Sequence, residues 1–166
     1  MQTQKSSRAR RGQAKLPRCT RPGRRRSIRQ HIREFAISTP GPGLLEFTGQ
    51  VESWVGSTGI RTGLLTLHVR HTSASLLIQE NADPEVRRDF ERYFRRLVPE
   101  GDPIFEHVDE GPDDMPAHVR AALTSTTLSI PVVEGRLALG SWQGIYLYEH
   151  RRSARRRKVV AHLLGE

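Results

Sequence analysis

Three short segments hold the residue types that could do chemistry. The first is His71-Thr72-Ser73-Ala74-Ser75, with Asn81 and Asp83 soon after. Where two strands join through small hydroxylated residues, O–H and N–H groups can converge on an anion, and His71 can donate, accept or bind metal. The plainer alternative is a strand-end histidine satisfied by a backbone carbonyl. The second segment is His107-Val108-Asp109 followed by Asp113-Asp114-Met115-Pro116-Ala117-His118. Two imidazoles separated by an acidic loop, the second on the opening turn of a helix, can meet as metal ligands while carboxylates orient them. Hard oxygens would suit Mg²⁺ bound with a substrate phosphate, and three imidazoles would suit Zn²⁺. Here the alternative is that Asp113 or Asp114 caps the helix and His118 merely points to water. The third segment is Gly140-Ser141-Trp142-Gln143-Gly144, leading to Glu149 and His150. Glycines let backbone approach a ligand, Trp142 offers a stacking face and Gln143 a bidentate edge; equally, Trp142 could be a core residue beside a bend. Glu149 and His150 are neighbours at a strand end and must face opposite ways. No G-x-S-x-G, P-loop, G-x-G-x-x-G or H-E-x-x-H motif is present, so any site is a composite.

The elements that must position these residues can be read from periodicity. Ile32, Phe35 and Ile37 mark a strand closed by Pro40-Gly41-Pro42-Gly43. Thr48 is expected to cap a short helix with Val51, Trp54 and Val55 on one face, stopped near Gly56 and Gly59. Leu64 to Val69 and Ser75 to Gln79 read as strands on either side of His71-Thr72-Ser73. Asp83-Pro84 is a strong helix start, and 84–97 places Val86, Phe90, Tyr93, Phe94 and Leu97 on one stripe. A polar loop, 99–114, precedes a helix near Pro116 to Leu123. Four further strands follow, near 126–131, 136–139, 144–150 and 159–164, with Glu134-Gly135 as the clearest hairpin signal. Strands in runs, not alternating with helices, give an α+β class: one domain, a mixed and mostly antiparallel sheet, and two main helices.

Charge divides the chain. Residues 1–30 hold 11 of the 27 Lys and Arg and none of the 18 acidic residues, so residues 31–166 carry a net charge near −2 despite +9 overall. Residues 1–29 read as a disordered basic arm, because they lack apolar groups to offset the entropy of ordering, and 30–166 as the folded domain. The core is not expected to read nucleic acid; the arm is the segment that would. The one cysteine, Cys19, lies in that arm, so no internal disulfide forms. With no apolar run long enough for a membrane helix and no signal-peptide core, the expected location is the cytoplasm, with no membrane partner.

The motifs HTSASLLIQENADPEVRRDFERYF, HVDEGPDDMPAHVRAALTSTTLSIPV, GRLALGSWQGIYLYEHR and VVAHLLGE, in that order, resemble the YjbQ family, also called UPF0047 or secondary thiamine-phosphate synthase enzymes. The resemblance covers nearly all of 30–166. It implies an α+β fold, a homotrimer, and a weak transferase activity that joins hydroxymethylpyrimidine diphosphate to thiazole phosphate with release of pyrophosphate. Carried over motif by motif, Thr72, Ser73, Asn81 and Asp83 with His71 would form one pocket wall, His107 and His118 its histidine pair, and Gly140, Trp142, Gln143 and Glu149 the other wall. His71, His107, His118 and Glu149 are then the expected catalytic groups, with the three histidines as ligands of a divalent metal, Mg²⁺ or Zn²⁺. The substrate would be a small phosphorylated molecule. Within the base-rich run Arg151 to Lys158, the loop between Arg152 and Arg155 is more Arg-rich than that family pattern and leaves room for a polyphosphate contact.

Three functions follow for comparison: a transferase in which the pyrimidine stacks near Trp142 while metal and histidines neutralise the diphosphate; a metal-dependent hydrolase or phosphatase with Asp109 or Glu149 activating water; and a non-enzymatic polyanion binder. Nucleic-acid affinity, if the chain has it, is expected to vanish on removal of residues 1–28 and to weaken steeply with salt. Binding retained by the truncated chain in a filter or anisotropy assay would place the reader in the core.

Overall fold

The structure, a computed structural model, describes residues 27–166. Most of the basic arm, Cys19 included, therefore lies outside the described residues. The order is β1 (Arg29–Thr39), β2 (Gly43–Glu46), α1 (Thr48–Thr58), β3 (Gly63–Val69), β4 (Ala74–Glu80), α2 (Pro84–Leu97), α3 (Asp114–Leu123), β5 (Thr127–Val133), β6 (Arg136–Leu137), β7 (Gln143–Glu149) and β8 (Arg155–Gly165). The class is α+β as expected, with one difference. Among the described residues the strands form two sheets, β1-β8-β3-β5-β6 and β2-β7-β4, and every pairing in them is antiparallel. The three helices stand where the periodicity marks them, the short one at Thr48 and the two main ones after Asp83 and Asp113. None is long and apolar enough to cross a membrane.

Alternation along the strands builds the core. Leu65, Leu67 and Val69 of β3 and Val159, Ala161 and Leu163 of β8 turn inward, and Leu76, Ile145 and Leu147 of the second sheet meet them. Val51, Trp54 and Val55 bring α1 onto this layer, with Trp54 edge-on to Phe35 at 5.9 Å. The opposite face of β7 carries Tyr146 and Tyr148, with His150 just past its end, and Phe94 of α2 meets Tyr148 edge-on at 5.7 Å.

The terminal signals were mostly legible. Asp83 accepts from the Glu85 amide at 2.7 Å and Pro84 opens α2. Glu134 and Gly135, with φ of 53° and 81°, form the two-residue turn that the antiparallel twist demands. Thr48 does not cap α1. Its hydroxyl donates to Glu46 and accepts from the Ile145 amide, so the cap position falls to Phe47. The helix runs through Gly56 and ends at Gly59, which takes the left-handed conformation at φ 68°. Arg29, assigned from sequence to the arm, opens β1 and donates to the Thr58 and Gly59 carbonyls.

Of the connections that pass from one sheet to the other, three short ones do so at one end: residues 40–42 between β1 and β2, 70–73 between β3 and β4, and 150–154 between β7 and β8. At the far end of the large sheet Gly63 faces Gly165, and a side chain on Gly63 would run into the Leu164 carbonyl and sit 3.1 Å from the Gly165 Cα. Gly63→Ala is therefore expected to cost about 1–3 kcal/mol, since it overpacks rigid backbone. Gly56→Ala, with open space around it inside α1, should gain up to about 1 kcal/mol. Denaturant melts of the two variants beside the parent measure both signs.

Candidate functional site

The crossover corner gathers the chemistry. Glu149, fully buried at the end of β7, accepts from Arg157 Nε at 2.6 Å and Nη2 at 2.5 Å, from the Thr39 hydroxyl at 3.0 Å, and from the His150 and Arg151 amides. Every lone pair of that carboxylate is engaged, so Glu149 is a positioning residue. The expected catalytic role is overturned because neither oxygen can reach a substrate or a water. The Arg-rich run is likewise partly spent inward: Arg157 on Glu149, and Arg151 on Asp113, Asp114 and Glu110.

Arg151 in turn sets the next layer. Its Nε donates to Asp113 at 3.0 Å and its Nη1 makes a short ion pair with Asp114 Oδ1. Burial alone would raise the Asp113 carboxyl, but the Arg152 amide and the Arg151 guanidinium hold it below the ordinary aspartate value. Neither aspartate caps α3 through its side chain: Asp113 occupies the cap position without a cap bond, and Asp114 points its second oxygen at the histidines.

Asp114 Oδ2 lies 2.9 Å from His107 Nε2 and 3.4 Å from His118 Nε2. One potential ligand atom from each of the three residues falls within 4.8 Å of the others, with Asp114 buried, His118 half-buried and His107 exposed. His118 sits four residues after Asp114, one helical turn, and its Nδ1 donates to the Thr72 carbonyl at 3.1 Å. That contact leaves Nε2 as the lone-pair nitrogen turned toward Asp114. Two imidazoles, a carboxylate, a carbonyl fixing the tautomer and an arginine fixing the carboxylate suit a borderline divalent ion such as Zn²⁺ better than Mg²⁺, which prefers oxygen.

His71, expected as the third imidazole ligand, is not in that group. Its Nδ1 accepts from the Ser73 amide at 3.1 Å, which places the proton of the neutral ring on Nε2. Partial burial first, then the charge of Arg157, lowers its pKa and keeps it neutral, and it remains within electrostatic reach of His118 and Arg155. His71 thus offers a proton donor at the rim, and Asp114 takes the place it was given among the ligands. Ser73 is buried between His71 and Arg157, and the Thr72 side chain is exposed beside them.

The third cluster is elsewhere. The β4–β7 register pairs Ala74 with Glu149 and Glu80 with Gln143, so the ribbon separates His71 from Trp142 by its whole length, roughly 20 Å at a strand's rise per residue. Trp142 is 68% exposed, Gln143 returns its amide oxygen to the Gly140 amide, and the Asn81 amide donates to the Trp142 carbonyl while its side chain donates to Glu46. Asp83 is occupied as the α2 cap. A pocket with Trp142 opposite the three imidazoles is therefore not formed within one chain. Arg157 and Thr39 carried no signal that could have marked them. Asp114 did, through its one-turn spacing to His118.

Comparison with known proteins agrees with this architecture. The family model described as UPF0047 protein YjbQ-like matches residues 33–166. The chain is 50% identical over 140 residues to the UPF0047 protein sll1880 of Synechocystis sp., covering 84% of this chain and 95% of that one. It is 50% identical over 111 residues to the UPF0047 protein YjbQ of Salmonella typhimurium, covering 67% and 80%. Among solved structures, a YbjQ-like protein of unknown function from Sulfolobus solfataricus P2 superposes with a TM-score of 0.78 at 25% identity, covering 84% of this chain and all of that one. A hypothetical protein from Aeropyrum pernix K1 gives 0.74 at 34%, covering 82% and 99%.

His150 supplies a pH signature for the corner. Its ring is buried against Tyr148, 4.2 Å between centroids, and its Nε2 meets the Ser75 hydroxyl at 2.9 Å. Burial, then the charges of Arg120 and Arg157, pushes its pKa down to about 3. Above the solution value of about 6.5 both folded and unfolded rings are neutral. Below it the unfolded chain takes up a proton the fold refuses, so stability is lost as pH falls, by about 1.4 kcal/mol per unit. Denaturant midpoints between pH 7 and 5 should fall for the parent protein, and His150→Gln should flatten the slope.

Proposed function

The chain belongs to the UPF0047 protein YjbQ-like family, and from that membership and the His107–Asp114–His118 convergence we propose a metal-dependent hydrolase acting on a small phosphorylated molecule. One observation carries the reading: a single buried carboxylate oxygen stands 2.9 and 3.4 Å from two imidazole nitrogens, while Thr72 and Arg151 fix His118 and Asp114 from behind. A divalent ion held there would supply Lewis acidity and a nucleophile from water near neutral pH. The chain's own groups do the rest. His107, Asp114 and His118 keep the donor atoms in place. His71 presents Nε2–H to a phosphate oxygen or the leaving oxygen, and being neutral it needs no counter-charge. Arg155, exposed at the start of β8 and acting electrostatically on His71, offers a cation to the phosphate. Asp109, in the exposed loop, remains the acidic group available to accept a proton from water.

A second reading is the thiamine-phosphate synthase transfer that the resemblance implies, and the free face of Trp142 favours it, since an exposed indole can stack on a pyrimidine. It requires that indole to meet the histidine corner of another copy, as a homotrimer would allow, because one chain keeps them apart. The core would use neither role to bind nucleic acid, and a cytoplasmic setting suits both.

Metal analysis and phosphate release from a panel of phosphate monoesters test the proposal, with hydroxymethylpyrimidine diphosphate and thiazole phosphate assayed in parallel. The expected outcome is near-stoichiometric divalent metal, lost in His118→Ala and Asp114→Asn. Phosphate release should fall with it by more than the roughly 10- to 100-fold that an outer partner is worth. Trp142→Ala should leave hydrolysis intact. Thiamine phosphate formation that Trp142→Ala abolishes would favour the second reading, and metal-free protein unaffected by either ligand variant would overturn both.

A further inference from the structure

A hollow of about 310 Å³ is walled by Pro42 and Pro99 and lined by Arg95, Arg120, Arg152 and Glu100. Its floor is the unusual part. Arg120 projects from α3, is only 3% exposed, and among the described residues its side chain makes one hydrogen bond, from Nη2 to the Val98 carbonyl at 2.9 Å. Its Nε is buried without a partner, and among the described residues no carboxylate lies within ion-pair distance of it. A guanidinium removed from water is costly unless an opposite charge and further acceptors compensate it.

The neighbouring acids cannot serve. Glu91 is bound to Arg95 at 2.9 Å and accepts from the Tyr148 hydroxyl at 3.0 Å. Glu100 is paired with Arg152, whose Nε reaches Oε1 at 3.2 Å and whose Nη2 makes a shorter contact with Oε2. Three arginines thus face two acids that are already engaged, and the uncompensated charge is the buried one. We propose that this hollow binds a tetrahedral oxyanion, the phosphoryl group of a small metabolite, with Arg120 as its charged floor and Arg95 and Arg152 as its rim. The planar fork of a guanidinium matches such an anion, and the volume suits a phosphate carrying a short organic stem. This site is separate from the His107–Asp114–His118 centre and stands whether or not that centre holds metal.

Inorganic phosphate is the probe. It is titrated by calorimetry and by thermal melts into the full chain, into His118→Ala, which removes a donor of the other site, and into Arg120→Gln. Phosphate should bind and raise the melting temperature of the first two, since a ligand of the folded state stabilises it by mass action. Arg120→Gln should weaken binding roughly tenfold or more, as loss of a charged hydrogen-bond donor does. Should Arg120→Gln not fold, Arg95→Ala and Arg152→Ala decide the matter, each expected to weaken phosphate severalfold and to shrink the phosphate-induced rise measured against its own ligand-free melt. Phosphate binding that disappears in His118→Ala but survives in the arginine variants, or no phosphate response in any protein, overturns the proposal.

Discussion

The buried pair between Glu149 and Arg157 is the constraint on which the corner rests. Both charges are withdrawn from water, with Arg157 3% exposed and Glu149 fully covered. They are tolerable there because the carboxylate collects five donors, from β1, from β8 and from the crossover that follows β7. Removing either partner would strand the other, a loss of about 3–5 kcal/mol in comparable cases. The pair also fixes geometry. It ties the end of β1 to the ends of β7 and β8, and through Ser73 it reaches the start of β4. Two sheets whose strands cross over at this end are thereby held at one angle, and the crossover bearing His71 and Thr72 is held against α3.

From that anchor the arrangement proceeds outward by successive commitments. The amide of Arg151 is spent on Glu149, its guanidinium on Asp113 and Asp114, and the free oxygen of Asp114 on two imidazoles. Each residue that meets solvent is steadied by one that does not. The order of burial, from Glu149 through Asp114 to His118 and His107, follows the order of positional control.

Much of this was legible in the sequence. The cap at Asp83, the turn at Glu134-Gly135, the strand alternation and the three reactive segments all follow from local rules, because each depends on neighbours along the chain. The pairing of β4 with β7 does not. A register is a long-range fact, and it alone sends Trp142 to one end of the ribbon and His71 to the other. Glu149 misleads for a related reason: an acid next to a histidine at a strand end looks reactive until its partner, eight residues on within an arginine run, is seen folded back onto it. Thr48 shows the same limit on a smaller scale, since the amide of Ile145 claims the hydroxyl that local rules assign to the helix.

The tether between His118 and residue 72 runs to a main-chain carbonyl, and this shapes how the corner can drift over evolutionary time. Any amino acid at position 72 supplies the same oxygen, so its identity is free to vary while the imidazole stays aligned. What the tether does not forgive is a change in chain length. One residue inserted or deleted between Val69 and Ala74 would shift that carbonyl past the ring. Divergence here should therefore spare the spacing of the crossover more faithfully than the letters written in it.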